Sequence, residues 1–191
     1  MPKINDWLTE GEQTKFSPLV KKLANQLKGS DDYETAFNVL VWIKKNLKYI
    51  ESWKWRERYL CKRTAEQIIK SRKSSGCGDK ATVFAALLRA NSIPVKYVIV
   101  IELDWLEKEM QYIWGHAFAD VFLNGKWRVA DPAVGNIGIG YNWASKKKFV
   151  IYKKCLDYTD AGIGSYKDME EKFGIFKKKW RKRSINLSSR K

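Results

Sequence analysis

The sequence predicts an α+β fold in which amphipathic helices near the N-terminus precede an antiparallel sheet. Three observations carry that expectation. Apolar residues recur at helical spacing early in the chain, first as Leu19, Val20, Leu23 and Leu27, then as Ala36, Val39, Leu40, Ile43 and Leu47. The segment Val95 to Leu103 is rich in Val, Ile and Tyr, as a buried strand requires. Further on, Gly115 to Leu123 and Lys126 to Asp131 flank Asn124-Gly125, a dipeptide whose ease with positive φ makes it the strongest short hairpin signal.

The first helix pair is separated by Ser30-Asp31-Asp32, whose short oxygen-bearing side chains cap a helix start. Glu51 to Tyr59 mixes Trp53 and Trp55 with five charges and shows no period, so irregular structure is expected there. Thr64 to Ile69 reads as a short helix that ends in the polar stretch Ser71 to Ser75. Next, Gly76-Cys77-Gly78-Asp79 leads into a segment with Ala81, Phe84, Ala85 and Leu88 on one helical face, stopped by Asn91-Ser92 and Pro94. Cys77 therefore lies at a helix N-terminus. A charged connection around Glu107 to Glu109 separates the first strand from the hairpin, and Phe149 to Lys153 reads as a further strand of the same sheet. The glycine-rich stretches Gly135 to Gly140 and Gly162 to Gly164 precede no clear helix in a strand-turn-helix unit, so they read as loops rather than phosphate cradles.

Composition bounds the rest. At 191 residues and 45% hydrophobic, with 14% aromatic residues, the chain has material for one domain with a substantial core. A single domain is expected over residues 1–171, with its core at about 30–155, followed by a basic segment at 172–191. That segment carries nine basic and no acidic residues, six of them among the seven positions from Lys177 to Arg183. It reads as a solvated tail or helix face, available for weak, non-specific contact with nucleic acid or an acidic partner. The formal net charge of +16 points the same way. The polar N-terminus lacks the features of a secretory signal, and the most apolar run, Val95 to Leu106, is broken by Lys96, Glu102 and Asp104. No stretch approaches the ~20 apolar residues of a membrane helix, so no membrane span is expected and a cytoplasmic location is the default.

Cys61, Cys77 and Cys155 are odd in number and widely spaced, which argues against a disulfide framework; with a single histidine and no Cys-x-x-Cys pair, no metal or other cofactor is expected. Cys61 and Cys155 sit among bulky residues and read as small buried hydrophobes. Cys77 differs, because unpaired N–H groups at a helix start stabilise a thiolate, and flanking glycines leave room for a substrate carbonyl. His116, the only histidine, is the one imidazole that can serve as its base. A two-residue turn at Asn124-Gly125 pairs Phe118 with Asp131 and His116 with Ala133, so His116 and Asp131 share a face as diagonal neighbours, with Cβ atoms ~7 Å apart or less. The same face holds Phe118, Phe122, Trp127 and Val129, an apolar surface suited to receive the Cys77 helix. Asp120 falls there too, which calls for a nearby sheet edge or a bulge. Taken singly, each residue has a plainer account: a small residue at a tight helix start, a structural histidine, an Asp-Pro turn.

Three blocks in order resemble the transglutaminase-like superfamily. Thr64 to Ile68, Gly76 to Ala81 and Ala86 to Val98 resemble its cysteine helix and following strand. Gly115 to Val121 resembles its histidine strand, and Gly125 to Pro132 its aspartate strand. The resemblance covers roughly residues 35–135 and implies a papain-like core with Cys77 as nucleophile, His116 as base and Asp131 as the residue orienting the histidine. It implies a peptide or protein amide as substrate and a Cys thioester as intermediate. Hydrolysis, as by a cysteine peptidase or amidase, is the favoured outcome. The alternatives are a protein-glutamine γ-glutamyltransferase and a catalytically silent binding module that recruits acidic partners or nucleic acid. Ser75-Gly76 and Gly78 stand where large animal transglutaminases usually have a Gly-Gln before the cysteine and a Trp after it, and no calcium loop is evident, so an animal-type cross-linker is disfavoured. For the family's second oxyanion donor, Tyr49, Trp55 and Gln67 are candidates.

Overall fold

Ser17 and Asp31 open the first two helices. The Ser17 hydroxyl accepts from the Val20 N–H at 3.4 Å ahead of α1 (Pro18–Gln26), and the Asp31 carboxylate accepts from the Glu34 N–H at 2.7 Å ahead of α2 (Asp32–Asn46). Their inward faces bury Val20, Leu23, Ala36, Val39, Leu40 and Ile43, the residues the spacing predicts. The computed structural model describes residues 3–138 and 148–188, of which 183–188 by backbone alone. Ile139 and Gly140 of the first glycine-rich stretch and residues 189–191 of the basic segment lie outside the described residues.

A short strand, β1 (Lys48–Tyr49), leads to α3 (Trp53–Tyr59), where irregular structure was expected. The helix has seven residues, buries none of them and so carries no apolar period. Local chemistry holds it instead: Ser52 caps the Trp55 N–H, and the Arg56 guanidinium lies over the rings of Tyr49 and Trp53. Next, α4 (Ala65–Ser71) starts with a reciprocal capping box between Thr64 and Gln67. After it β2 (Lys73–Ser74) pairs in parallel with β1 and delivers the chain to α5 (Cys77–Ala90).

The main sheet is antiparallel throughout, as the α+β reading requires. It contains β3 (Val95–Glu102), β4 (Gly115–Leu123), β5 (Lys126–Asp131), β6 (Asn136–Ile137) and β7 (Phe149–Cys155) in the order β6-β5-β4-β3-β7. The hairpin register is the predicted one, with Leu123 opposite Lys126 and Ala119 opposite Ala130. Asn124 and Gly125 both take positive φ, as a type I′ turn demands. Between β3 and β4, the charged connection contains the short helix α6 (Leu103–Glu107).

The face that receives α5 differs from the expected one. Phe84, Leu87 and Leu88 of α5 share a core with Ala119, Val121, Leu123 and Ala130, whereas Phe118 and Val129 pack with Val98, Val100 and Phe149 on the other face. Small alanines on the helix-facing side let α5 approach closely; the bulkier aromatics serve the opposite layer. Each fully buried side chain of this kind contributes roughly 1.5–3 kcal/mol. Packing of α5, rather than its intrinsic propensity, therefore sets where Cys77 stands. Asp120 needs neither an edge nor a bulge in this hairpin: it is buried, and its carboxylate accepts from Lys154 Nζ of β7 at 2.6 Å.

The chain's last described element is α7 (Tyr166–Ser188), which runs through the boundary expected between residues 171 and 172. Phe173 is buried, its ring 5.0 Å from that of Tyr152, and Phe176 and Trp180 pack on the same core. Met169, Phe173, Phe176 and Trp180 recur at helical spacing, the last three of them within the basic run. On its flank, Arg181 Nε donates to the Leu106 carbonyl at 2.9 Å, and Lys177 Nζ to the Lys108 carbonyl at 3.0 Å. Part of the positive charge thus ties α7 to α6. Among the described residues, no helix is long and apolar enough to cross a membrane.

Candidate active site

Cys77 is the first residue of α5, so its backbone N–H has no intrahelical acceptor. Gly76 before it takes φ 149° and ψ −158°, a backbone region that residues with a Cβ rarely enter. The turn is pinned from one side by Asp79. Its Oδ2 accepts from the Ser75 N–H at 2.5 Å, from the Ser75 hydroxyl at 2.7 Å and from the Arg63 guanidinium. Arg63 in turn lies over the rings of Trp55 and Tyr59, 4.9 and 5.5 Å from their centres. On the other side of Cys77, a Cβ built on Gly78 would stand 2.5 Å from the Tyr158 ring. Glycine at 78 is therefore a packing requirement, and the same ring excludes the tryptophan found there in large animal transglutaminases.

His116 near the start of β4 and Asp131 at the end of β5 meet as the register predicts: His116 Nε2 lies 2.9 Å from Asp131 Oδ2. Asp131 is 1% exposed and its second oxygen accepts from the Ala133 N–H at 2.9 Å, so the carboxylate is held at both ends. The imidazole, 22% exposed, sits edge-on to Phe118 at 4.5 Å and stacks on Phe149. With Nε2 engaged by Asp131, Nδ1 is the ring nitrogen left to exchange a proton with the Cys77 sulfur, and each of the two groups shifts the other's titration. The three predicted residues are brought together.

Their electrostatics oppose one another usefully. Burial pushes the Cys77 thiol up, but the His116 charge, its hydrogen bond and the Ala117 N–H together hold it below the ordinary thiol value. Burial also works against a charged His116, yet the Cys77 charge and the Asp131 contact raise it to about 10. Both shifts favour passing the thiol proton to the imidazole. The other two cysteines move the opposite way: burial raises Cys61 and takes Cys155 up to about 12.

Cys77 and His116 open onto a cavity of about 880 Å³ walled by Tyr49, Trp53, Arg56, Lys80, Trp114 and Tyr166 among others. Of the oxyanion candidates, only Tyr49 lines it; Trp55 and Gln67 face a separate pocket of about 530 Å³. Lys80 and Arg56 were not singled out from sequence. Lys80 had a readable signal, since it follows Cys77 by three residues on one helix face, and its Nζ reaches the Ala133 carbonyl at 3.1 Å. Arg56 had none, because its helix was not foreseen.

Comparison with known proteins places the fold. The chain matches the core of the transglutaminase-like superfamily over residues 21–132. A solved structure from Cytophaga hutchinsonii, provisionally described as a cysteine protease, superposes with a TM-score of 0.64 at 23% identity, over 84% of this chain and 49% of that one. A Parabacteroides distasonis structure, provisionally described as a protease, gives a TM-score of 0.48 at 16% identity, over 66% of this chain and 25% of that one. The chain thus spans about half the length of the first and a quarter of the second, and the likeness to the first is one of fold. No curated protein matches. With the family's core matched from α1 to the end of the β5 strand, the chain belongs to the transglutaminase-like superfamily.

Proposed function

We propose that the chain is a thiol amide hydrolase in which Cys77 is the nucleophile, His116 the general base and acid, and Asp131 the residue that orients the imidazole. The observation that carries this reading is His116 held between the Asp131 carboxylate and the Cys77 sulfur at the wall of an open cavity. His116 Nδ1 takes the thiol proton, and the thiolate attacks the carbonyl carbon of a peptide or protein amide. The oxyanion so formed meets the Cys77 N–H, with Tyr49 as the candidate side-chain donor. On collapse the C–N bond breaks, His116 returns the proton to the departing amine, and a Cys77 thioester remains. His116 then deprotonates a water, which attacks the thioester, releases the acid and restores the thiol. Solvent access favours water as that acceptor: Tyr112 and Trp114 on the cavity wall are well exposed. Three free cysteines suit a reducing compartment such as the cytoplasm.

The test is amine release from a library of peptide amides, with a labelled primary amine present as a competing acceptor. Wild type is expected to release amine or ammonia and to incorporate the label more slowly, while Cys77→Ala and His116→Ala are inactive. Label incorporation faster than hydrolysis would make the chain a transferase acting through the same cysteine. Turnover that survives Cys77→Ala would overturn the mechanism.

A further inference from the structure

Among the described residues, the cavity wall carries one guanidinium, that of Arg56, and no carboxylate forms an ion pair with it. Arg56 Nε donates to the Ser75 carbonyl at 3.1 Å, and its guanidinium carbon stands 5.5 Å from the ring centre of Tyr49 and 5.4 Å from that of Trp53. Among the described residues no carboxylate forms an ion pair with it, and both terminal nitrogens are left without a hydrogen-bond acceptor. Glu57 and Glu170 bear on Tyr166, as Arg56 itself does, but among the described residues neither forms an ion pair with the guanidinium. Lys80, the other cation of the wall, is already tied to the Ala133 carbonyl and lies beside Asp131. Arg56 is therefore a half-buried, aromatic-clamped fork held in place before anything binds, which is the arrangement that recognises a planar anion best. Its anchor point, Ser75, is two residues from Cys77, so their Cα atoms are at most about 7.6 Å apart.

From this placement we infer that Arg56 is a specificity-determining residue that grips a carboxylate of the acyl substrate, within one or two residues of the amide presented to Cys77. The substrate class is an acidic peptide amide. Apolar groups beside that carboxylate have Trp53, Trp114 and Tyr166 to lie against. The chain's net charge of +16 draws the same class of molecule toward the surface. This inference rests on the thiol-enzyme reading for its orientation, but the anchor can be measured without turnover.

Three probes separate the possible sources of the carboxylate: acetyl-Tyr-Ala-Glu-Ala-carboxamide, its Gln counterpart, and that Gln peptide with a free C-terminal carboxylate. Binding of each is measured by calorimetry to Cys77→Ala, which cannot form a thioester. One of the two carboxylate peptides is expected to bind about tenfold tighter than the neutral peptide, the lower end of what a hydrogen bond to a charged group contributes. In Cys77→Ala/Arg56→Gln that ratio falls below twofold, and Arg56→Lys, which keeps the charge but not the fork, restores part of it. Equal binding of all three peptides to Cys77→Ala overturns the inference even if Arg56→Gln does not fold. A preference that survives Arg56→Gln in a folded protein overturns it too. If the preference holds and wild type hydrolyses none of the bound peptides, the anchor stands and the hydrolase reading falls; turnover with no carboxylate preference has the opposite meaning.

Discussion

His116 Nε2 donates to Asp131 Oδ2 at 2.9 Å although the two residues are not directly opposite across the hairpin. The register that sets Ala119 against Ala130 carries Phe118 opposite Asp131 and leaves His116 one pair further along the same face. A diagonal pair of this kind needs both side chains to lean together, and the Ala133 N–H on the second carboxylate oxygen holds Asp131 in that pose.

Asp131→Asn keeps an acceptor for the Ala133 N–H but removes the charge that raises His116. The imidazole's pKa should fall from about 10, so the alkaline limb of any pH–activity profile moves toward neutrality. We expect kcat/KM to drop by between about 10² and 10⁴ with little change in far-UV circular dichroism. Activity and profile unchanged in the variant would show that the contact is structural only.

Asp79 and Arg63 form a buried ion pair, 5% and 7% exposed, that anchors Ser75 ahead of Cys77. Removing the carboxylate leaves a guanidinium with no counterion under Trp55 and Tyr59. Asp79→Ala should lower unfolding free energy by about 3–5 kcal/mol in a urea titration. A loss under about 1 kcal/mol would mean that water or another acceptor takes over.

Gly78→Ala places a Cβ against the Tyr158 ring, and overpacking of this kind costs about 1–3 kcal/mol. Thermal unfolding should show the loss, and Gly78→Ala/Tyr158→Leu should recover part of it. A stable single variant would place the steric limit elsewhere.

Much of the fold is visible before any coordinates, because α1, α2, α5, β3 and the β4–β5 hairpin all show their burial as a period in the residues. The hairpin was the decisive case, since one Asn-Gly turn sets which of His116 and Asp131 face each other. What could not be read is what burial does not pattern. α3 buries nothing, and its guanidinium clamp joins Arg56 to Tyr49 through space. Side choice was misjudged for α5: the eye goes to Phe118, Phe122 and Trp127, but a helix packs closest over alanines. In α7 the charge run obscured three large apolar residues at helical spacing, Phe173, Phe176 and Trp180, so a segment read as a tail or solvated face also carries core contacts.

Lys178, Lys179 and Lys182 remain exposed on α7, where Lys177 and Arg181 are engaged with α6. Binding to generic nucleic acid through this face should be weak and salt-sensitive. Replacing the three lysines with Gln should reduce the slope of log K against log salt by up to about 2–3, measured by fluorescence anisotropy. Because Phe173 is part of the core, substitution is a cleaner test than truncation. Tight binding that ignores both salt and the triple substitution would favour the binding-module alternative.

The most direct measurement on the central claim is residue-resolved alkylation by iodoacetamide as a function of pH, which needs no substrate. A thiol whose pKa is depressed reacts as thiolate from lower pH upward, and one raised by burial does so only at higher pH. Cys77 should therefore label well below the ordinary thiol range of about 8.5, while Cys61 and Cys155, both raised by burial, stay unlabelled in the native protein. In His116→Ala the two strongest influences that lower Cys77 are gone and burial prevails, so its labelling should shift to higher pH than in wild type. A Cys77 that labels like a free thiol in wild type, unmoved by His116→Ala, would contradict the account.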